Sequence, residues 1–356
     1  MTNKKIIKKL TFISLVGCLV LSMILVQSFG NQSTAKGKEL TPRSSGNYTP
    51  YIGWGGFTEI DFNVPSFDGK EDLPTTLLTA NPSTKQPVVI LVHGLGCSKE
   101  TWLLKEFSYL LATLLARGFT LVLYTVPEVS VKWIPDFTAL PNNLYSVIKH
   151  ISTDSGLLPY IDENKIGLVG HSLGAWTVTI AACQSTGYLR EYYSKVKIAI
   201  EVDGPSNLRS ALDYLIATGS SLAIWAQLEY AAACAAPSPI GYGKSEAWAV
   251  DLASGIDPCD TIYMAFCVFH HALDTTIPYA TNGAPLYNDA RNNGIHWLQY
   301  HQIWIWSWWT WEYTVVTANY NVYQYTSTFT GADGHIAVLI DPTAVYYLGC
   351  YLSLYL

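Results

Sequence analysis

Residues 166–183 read Ile-Gly-Leu-Val-Gly-His-Ser-Leu-Gly-Ala-Trp-Thr-Val-Thr-Ile-Ala-Ala-Cys. The aliphatic run Ile166–Val169 has the character of a short strand, and Ser172 to Cys183 is apolar and helical. Gly170-His171-Ser172-Leu173-Gly174 joins the two. A serine on such a sharp turn is held in a strained conformation, and its flanking positions need glycine to avoid clashes. Alone, these five letters are weak, since an ordinary tight turn capped by serine spells the same. Between a strand and a helix, they make Ser172 the expected nucleophile.

Outward from this turn, strands and helices alternate. Val88 to Val92 is a continuous β-branched and aliphatic run, the signature of a strand buried on both faces. Lys99 to Arg117 carries apolar residues at helical spacing and stops at Gly118. Phe119 to Thr125 is strand-like, Leu144 to Ile151 helical, and Val196 to Val202 and Ile262 to Phe269 are strand-like. Phe57 to Val64 and Thr75 to Thr79 predict two opening strands. The alternation predicts an α/β fold, a mostly parallel sheet with helices on both faces. Two stretches break it. From about 205 to 260 the chain is helical in character, which predicts a cap-like insertion. From about 296 to 312 it is crowded with Trp and Tyr, which predicts an aromatic insertion at a pocket rim, followed by the last strand before Tyr325.

An acyl-transfer nucleophile needs donors aimed at a developing oxyanion, a base and an acid. His93-Gly94-Leu95-Gly96 follows the strand Val88 to Val92, so the backbone N–H groups of Leu95 and Leu173 are the expected donors, with His93 holding the loop. Asp274 follows the strand Ile262 to Phe269 and is the expected acid, with Asp203 and Asp333 as rivals. His335 lies in the glycine-bounded Gly331-Ala-Asp-Gly334-His335 and is the expected base. His270 and His271 could be read as a metal pair with Asp274, but neighbours on a strand point to opposite faces, which makes joint ligation awkward. Trp176 and Trp102, which follow the two glycine motifs, are expected to touch substrate. No cofactor or metal is called for.

The chain has 356 residues, 49% hydrophobic and 13% charged, enough for one large core. Lys4, Lys5, Lys8 and Lys9 precede an apolar run, Leu10 to Val26, and then small residues. Residues 1–30 thus read as a secretory signal peptide, with an uncleaved anchor as the alternative. Leu15-Val16-Gly17-Cys18 also resembles a lipoprotein cleavage box, though an apolar run follows the cysteine. Residues 31–50 read as a flexible tether and 51–356 as the folded domain. Removing the four leader lysines from 21 basic residues leaves 17 against 27 acidic ones, net −10. So acidic a chain has no electrostatic footprint for nucleic acid. Six cysteines remain after the leader. That even number is compatible with disulfides in an exported protein.

These residues resemble the α/β-hydrolase superfamily over essentially the whole chain from about Tyr51, and within it the dienelactone-hydrolase and cutinase-like polyester hydrolase branch. The phrases that carry the resemblance are Val88-Val-Ile-Leu-Val-His-Gly-Leu-Gly, Leu115-Ala-Arg-Gly-Phe-Thr-Leu-Val-Leu and Gly170-His-Ser-Leu-Gly. The resemblance implies Ser172, Asp274 and His335 as a triad with Leu95 and Leu173 as oxyanion donors. It also implies hydrolysis of a carboxylic ester. The apolar 205–260 region and the Trp-rich stretch predict a hydrophobic acyl or alcohol part, and residues 1–30 predict a place outside the cell or on its surface. Ala175-Trp176 where those enzymes continue with glycine, the enlarged 205–260 region and the long interval from Asp274 to His335 all depart from the branch. They bear on substrate choice. A peptidase or acyltransferase on the same triad, and a catalytically idle binding protein of the same fold, remain the alternatives.

Overall fold

The computed structural model describes residues 51–52, 56–127, 137–220, 222–223, 226–228, 262–293, 299–302, 312–317, 322–329 and 334–356. The expected leader, the tether, the insertion beyond residue 228 and residues 303–311 of the aromatic segment lie outside the described residues, as do Asp333, Cys234 and Cys259. Cys97, Cys267 and Cys350 carry free thiols.

The strands are β1 (Tyr51–Ile52), β2 (Thr58–Pro65), β3 (Asp72–Thr79), β4 (Gln86–Val92), β5 (Thr120–Tyr124), β6 (Ile161–His171), β7 (Val196–Val202), β8 (Ala265–His271), β9 (Gln299–Gln302), β10 (Glu312–Thr317) and β11 (Val322–Ser327). They form one sheet in the order β1-β2-β3-β5-β4-β6-β7-β8-β11-β10-β9. The run from β5 to β11 is parallel throughout, and antiparallel strands extend it at both ends. β9 thus lies within the expected aromatic segment and β10 begins at its end, and together they form the sheet edge.

The helices are α1 (Lys99–Trp102), α2 (Ser108–Ala116), α3 (Ala139–Thr153), α4 (Leu173–Ala182), α5 (Leu208–Ala217), α6 (Gly283–Asn293), α7 (Gly334–Ile340) and α8 (Pro342–Tyr355). They divide between the two faces of the sheet, as the strand pleat requires. Val88, Ile90 and Val92 of β4 pack with Ile166 and Leu168 of β6 and with α3, α4, α5 and α6. Val89 and Leu91 point the other way, into a second cluster with α2, α7 and α8. Each fully buried aliphatic side chain contributes about 1.5–3 kcal/mol, so the continuous aliphatic runs of the central strands dictate a sheet covered on both sides. Gly167 lets α8 come close, since a Cβ there would lie 2.9 Å from Leu352. Asp341 starts α8 by accepting the Thr343 N–H at 2.9 Å, with Pro342 at the first helical position.

The span Lys99 to Arg117, read as one helix, is broken. After α1, Leu104 turns extended, a 3₁₀ turn follows at Lys105–Phe107, and α2 begins at Ser108. Leu103 and Leu104, at the break, are exposed. The break brings Trp102 and Phe107 edge to face at 5.6 Å within one cluster. Of the expected insertion at about 205–260, α5 is described; it follows β7, and Leu208, Leu212 and Leu215 join the cluster of Val88, Ile90 and Leu168. Among the described residues, no single helix is long and apolar enough to cross a membrane.

Candidate active site

Ser172 sits between β6 and α4 with φ 57° and ψ −121°, a conformation that L-residues rarely adopt and that costs about 1–3 kcal/mol. Its N–H is held by Val202 O at 2.9 Å. The glycines around it are sterically required. A Cβ on Gly170 would fall on the carbonyl of Gly174 and 2.7 Å from Ala175 N. One on Gly174 would overlap Val92 O and lie 2.6 Å from His93 O. Strand β6, helix α4 and the end of β4 thus converge with no room for a methyl group, and the turn drives the serine side chain outward.

The loop after β4 closes against this serine, since a Cβ on Gly94 would lie 2.9 Å from Ser172 Cβ. Leu95 follows that contact, and Leu173 opens α4, where backbone N–H groups have no helical acceptor and the dipole is positive. His93 holds the loop as expected. Its Nε2 accepts the Val126 N–H at 3.1 Å, so Nδ1 bears the proton and donates to Gly94 O at 2.8 Å. Burial pushes this imidazole down to about 4, so it stays neutral.

The other two residues approach from the carboxyl end of β8 and the start of α7. Asp274 Oδ1 accepts the N–H groups of Thr276 and Ile277 at 2.7 and 2.9 Å, which leaves Oδ2 for His335 Nδ1 at 2.7 Å. His335 Nε2 is 2.9 Å from Ser172 Oγ. Because Nδ1–H donates to the carboxylate, Nε2 is bare and accepts the serine proton, the tautomer a general base needs. Burial would raise the Asp274 carboxyl, but the hydrogen bond and charge of His335 outweigh it and hold it below its ordinary value. The structure therefore joins Ser172, His335 and Asp274, residues 163 and 61 positions apart in sequence, in one hydrogen-bonded chain. His335, read as a loop residue, lies in the first turn of α7.

Other expectations change. Trp176 is fully buried, edge to face with Phe137 at 5.7 Å, and Trp102 is buried against Phe107. Both are core residues with no surface to offer a substrate, so their expected role is corrected. Their apolar bulk was spent on packing the helices that carry the motifs. Asp203, the rival acid, has φ 50° and uses Oδ1 to hold the His271 N–H at 2.7 Å. It stands apart from the hydrogen-bonded chain.

Beneath the site Glu201, Asp203 and His270 form a buried polar layer. Glu201 Oε1 accepts the Gly204 N–H, and burial raises its carboxyl well above the ordinary range. Burial and the charge of Asp274 do the same to Asp203. Burial thus favours the protonated form of both acids, whereas His335 favours the charged form of Asp274. Buried His270 donates from Nε2 to Ile277 O at 2.7 Å, which braces the loop that orients Asp274. Asp203, His270 and Asp274 bring possible ligand atoms within 4.8 Å of one another. However, a cation there would have to displace the Ile277 contact from His270 and the His335 contact from Asp274. His270 and His271 take different partners, the latter Phe329 O at 2.8 Å.

The sequence profile of the Alpha/beta hydrolase family matches residues 89–345, from β4 into α8 and across all three joined residues. No curated protein matches the chain. Among solved structures, it is similar to a hyperthermophilic esterase from the archaeon Pyrobaculum calidifontis, at 16% identity over 83% of this chain and 82% of that one, with a TM-score of 0.53. It is likewise similar to an esterase of Pyrococcus furiosus, at 12% identity over 90% and 99% of the respective chains, with a TM-score of 0.53. At such identities the likeness is one of fold.

Proposed function

Because the chain belongs to the alpha/beta hydrolase family, we propose that it is an exported serine hydrolase of carboxylic esters, with Ser172 as nucleophile, His335 as base and Asp274 as the acid that orients it. The observation that carries this reading is the continuous contact Ser172 Oγ–His335 Nε2 at 2.9 Å and His335 Nδ1–Asp274 Oδ2 at 2.7 Å. His335 takes the serine proton as Oγ attacks the ester carbonyl. The oxyanion that forms is held by the Leu95 and Leu173 amides, each worth about 10²–10³ in rate. The alcohol leaves with the proton from His335, and an acyl-Ser172 ester remains. His335 then activates water, which releases the acid and restores the serine.

Esters with a hydrophobic acyl part are the favoured substrates. Exposed Leu273 stands directly before Asp274, and half-buried Leu95 borders the nucleophile. The apolar composition of residues 205–260 and the Trp and Tyr content of residues 296–312 favour a hydrophobic acyl part as well. The narrower likeness to dienelactone and cutinase-like polyester hydrolases rests on the sequence phrases, whereas the family match is at superfamily level. Export, by cleaved leader or retained anchor, rests on residues 1–30. A series of p-nitrophenyl esters tests the proposal. Turnover is expected, with activity rising or holding from acetate to octanoate. A steady fall along that series removes the hydrophobic pocket, and an inert, folded protein removes the hydrolase.

A further inference from the structure

The base reaches Ser172 from a segment bounded by Phe329 at the end of β11 and His335 at the start of α7, and buried imidazoles hold both of these residues by their backbone carbonyls. His171, the residue before the nucleophile, places Nε2 2.6 Å from the backbone oxygen of His335. A ring nitrogen so close to a carbonyl carries the proton and donates it. His271, at the end of β8, accepts the Leu273 N–H on Nδ1 at 3.1 Å. Its proton is therefore on Nε2, which faces Phe329 O at 2.8 Å. Gly334 packs against the second of these imidazoles, as a Cβ there would lie 2.8 Å from Leu273 O and 3.1 Å from His271 Nδ1.

We infer that His171 is a positioning residue for the base: by donating Nε2–H to the His335 carbonyl it fixes the backbone from which the His335 imidazole reaches Ser172. This rests on the reading of Ser172 and His335 as nucleophile and base. The physical need is clear from the geometry. The His335 side chain is held by Asp274 at one nitrogen, and the other must stay free to meet Ser172. The side-chain contact to Asp274 does not by itself set where the backbone stands, and a displacement of about 1 Å costs on the order of a hundredfold in rate. His171 stands on β6 immediately beside Ser172, so one strand end carries both the nucleophile and the clamp on its base. The two rings lie 4.9 Å apart. Burial, with the proximity of His335, pushes His171 down to about 3. It therefore stays uncharged and does not oppose the imidazolium that forms on His335 during attack.

The test is steady-state hydrolysis of p-nitrophenyl butyrate by the full chain, as wild type, His171→Phe and His171→Gln. Phe keeps the ring volume without a donor, and Gln keeps an N–H that can reach a carbonyl. The expected result is a kcat about 10- to 100-fold lower for His171→Phe with KM within about twofold, and recovery of most of kcat by His171→Gln. An unchanged kcat in His171→Phe, or equal losses in both variants, overturns the inference. An inactive wild type overturns instead the hydrolase reading on which it rests. Should the Phe variant fail to fold, ¹⁵N-histidine NMR of the wild type decides. A neutral His171 protonated at Nε2 down to about pH 4 supports the clamp, and a proton on Nδ1 overturns it.

Discussion

Asp274→Asn is expected to lower kcat for ester hydrolysis by about 10⁴-fold, the loss known for the acid-to-amide change in a Ser-His-Asp triad, while the protein stays folded. Asn can keep its oxygen on the Thr276 and Ile277 N–H groups, where Asp274 Oδ1 now sits. Its NH₂ then faces His335 Nδ1. That nitrogen must become an acceptor, its proton moves to Nε2, and the ring presents N–H to Ser172 instead of a lone pair. The geometry survives in the wrong tautomer. The same substitution separates the two carboxylates that could serve the base. If Asp203 were the acid, Asp274→Asn would cost less than about tenfold, and Asp203→Asn would carry the large loss. Kinetics on both variants, with thermal unfolding to confirm the fold, decide between them.

Gly174→Ala is expected to destabilise the protein by more than about 4 kcal/mol, at the extreme of single substitutions. The added methyl would overlap the carbonyl of Val92 and lie 2.6 Å from that of His93, both on the rigid end of β4. No flexible side chain can give way there. Either the strand end or the helix start must move, and both carry functional groups. Gly118→Ala is the informative comparison. Gly118 has φ 82°, and a Cβ there would meet nothing within 4 Å, so its cost is backbone strain alone, about 1–2 kcal/mol. Urea unfolding of the two variants should separate them clearly. Comparable midpoints would mean that β4, β6 and α4 leave room for a methyl group after all.

The elements that the sequence announced are those where one local pattern decides the outcome. The aliphatic runs of β4, β5 and β7 can only be strands covered on both faces, and Gly170 and Gly174 can only belong to a turn with no room for side chains. Ser172, Asp274 and His335 were legible because each follows a strand or precedes a helix in the order the fold imposes. The break at Leu103–Leu104 was not legible. Helical spacing reports which side chains would share a face if the helix continued, and here the packing of Trp102 on Phe107 won over continuity. Trp176 and Trp102 misled because proximity to a motif in sequence does not say whether a ring faces the pocket or the core. Asp203, His270 and His271 were singled out in sequence, but as a rival acid and a metal pair, because the backbone partners that hold Asp203, His171 and His271 come from distant segments. A signal was nevertheless present. Each of these polar residues lies at or beside the carboxyl end of a strand that reads as buried, where a polar side chain must find a partner.

The central claim is that Ser172 is an activated nucleophile, and covalent labelling tests it most directly. The purified protein is treated with a fluorophosphonate and digested, and the adduct is located by mass spectrometry, with Ser172→Ala in parallel. One adduct is expected, on the peptide containing Ser172, and none in the Ala variant. A folded wild type that takes no label, or an Ala variant that labels equally, would contradict the claim.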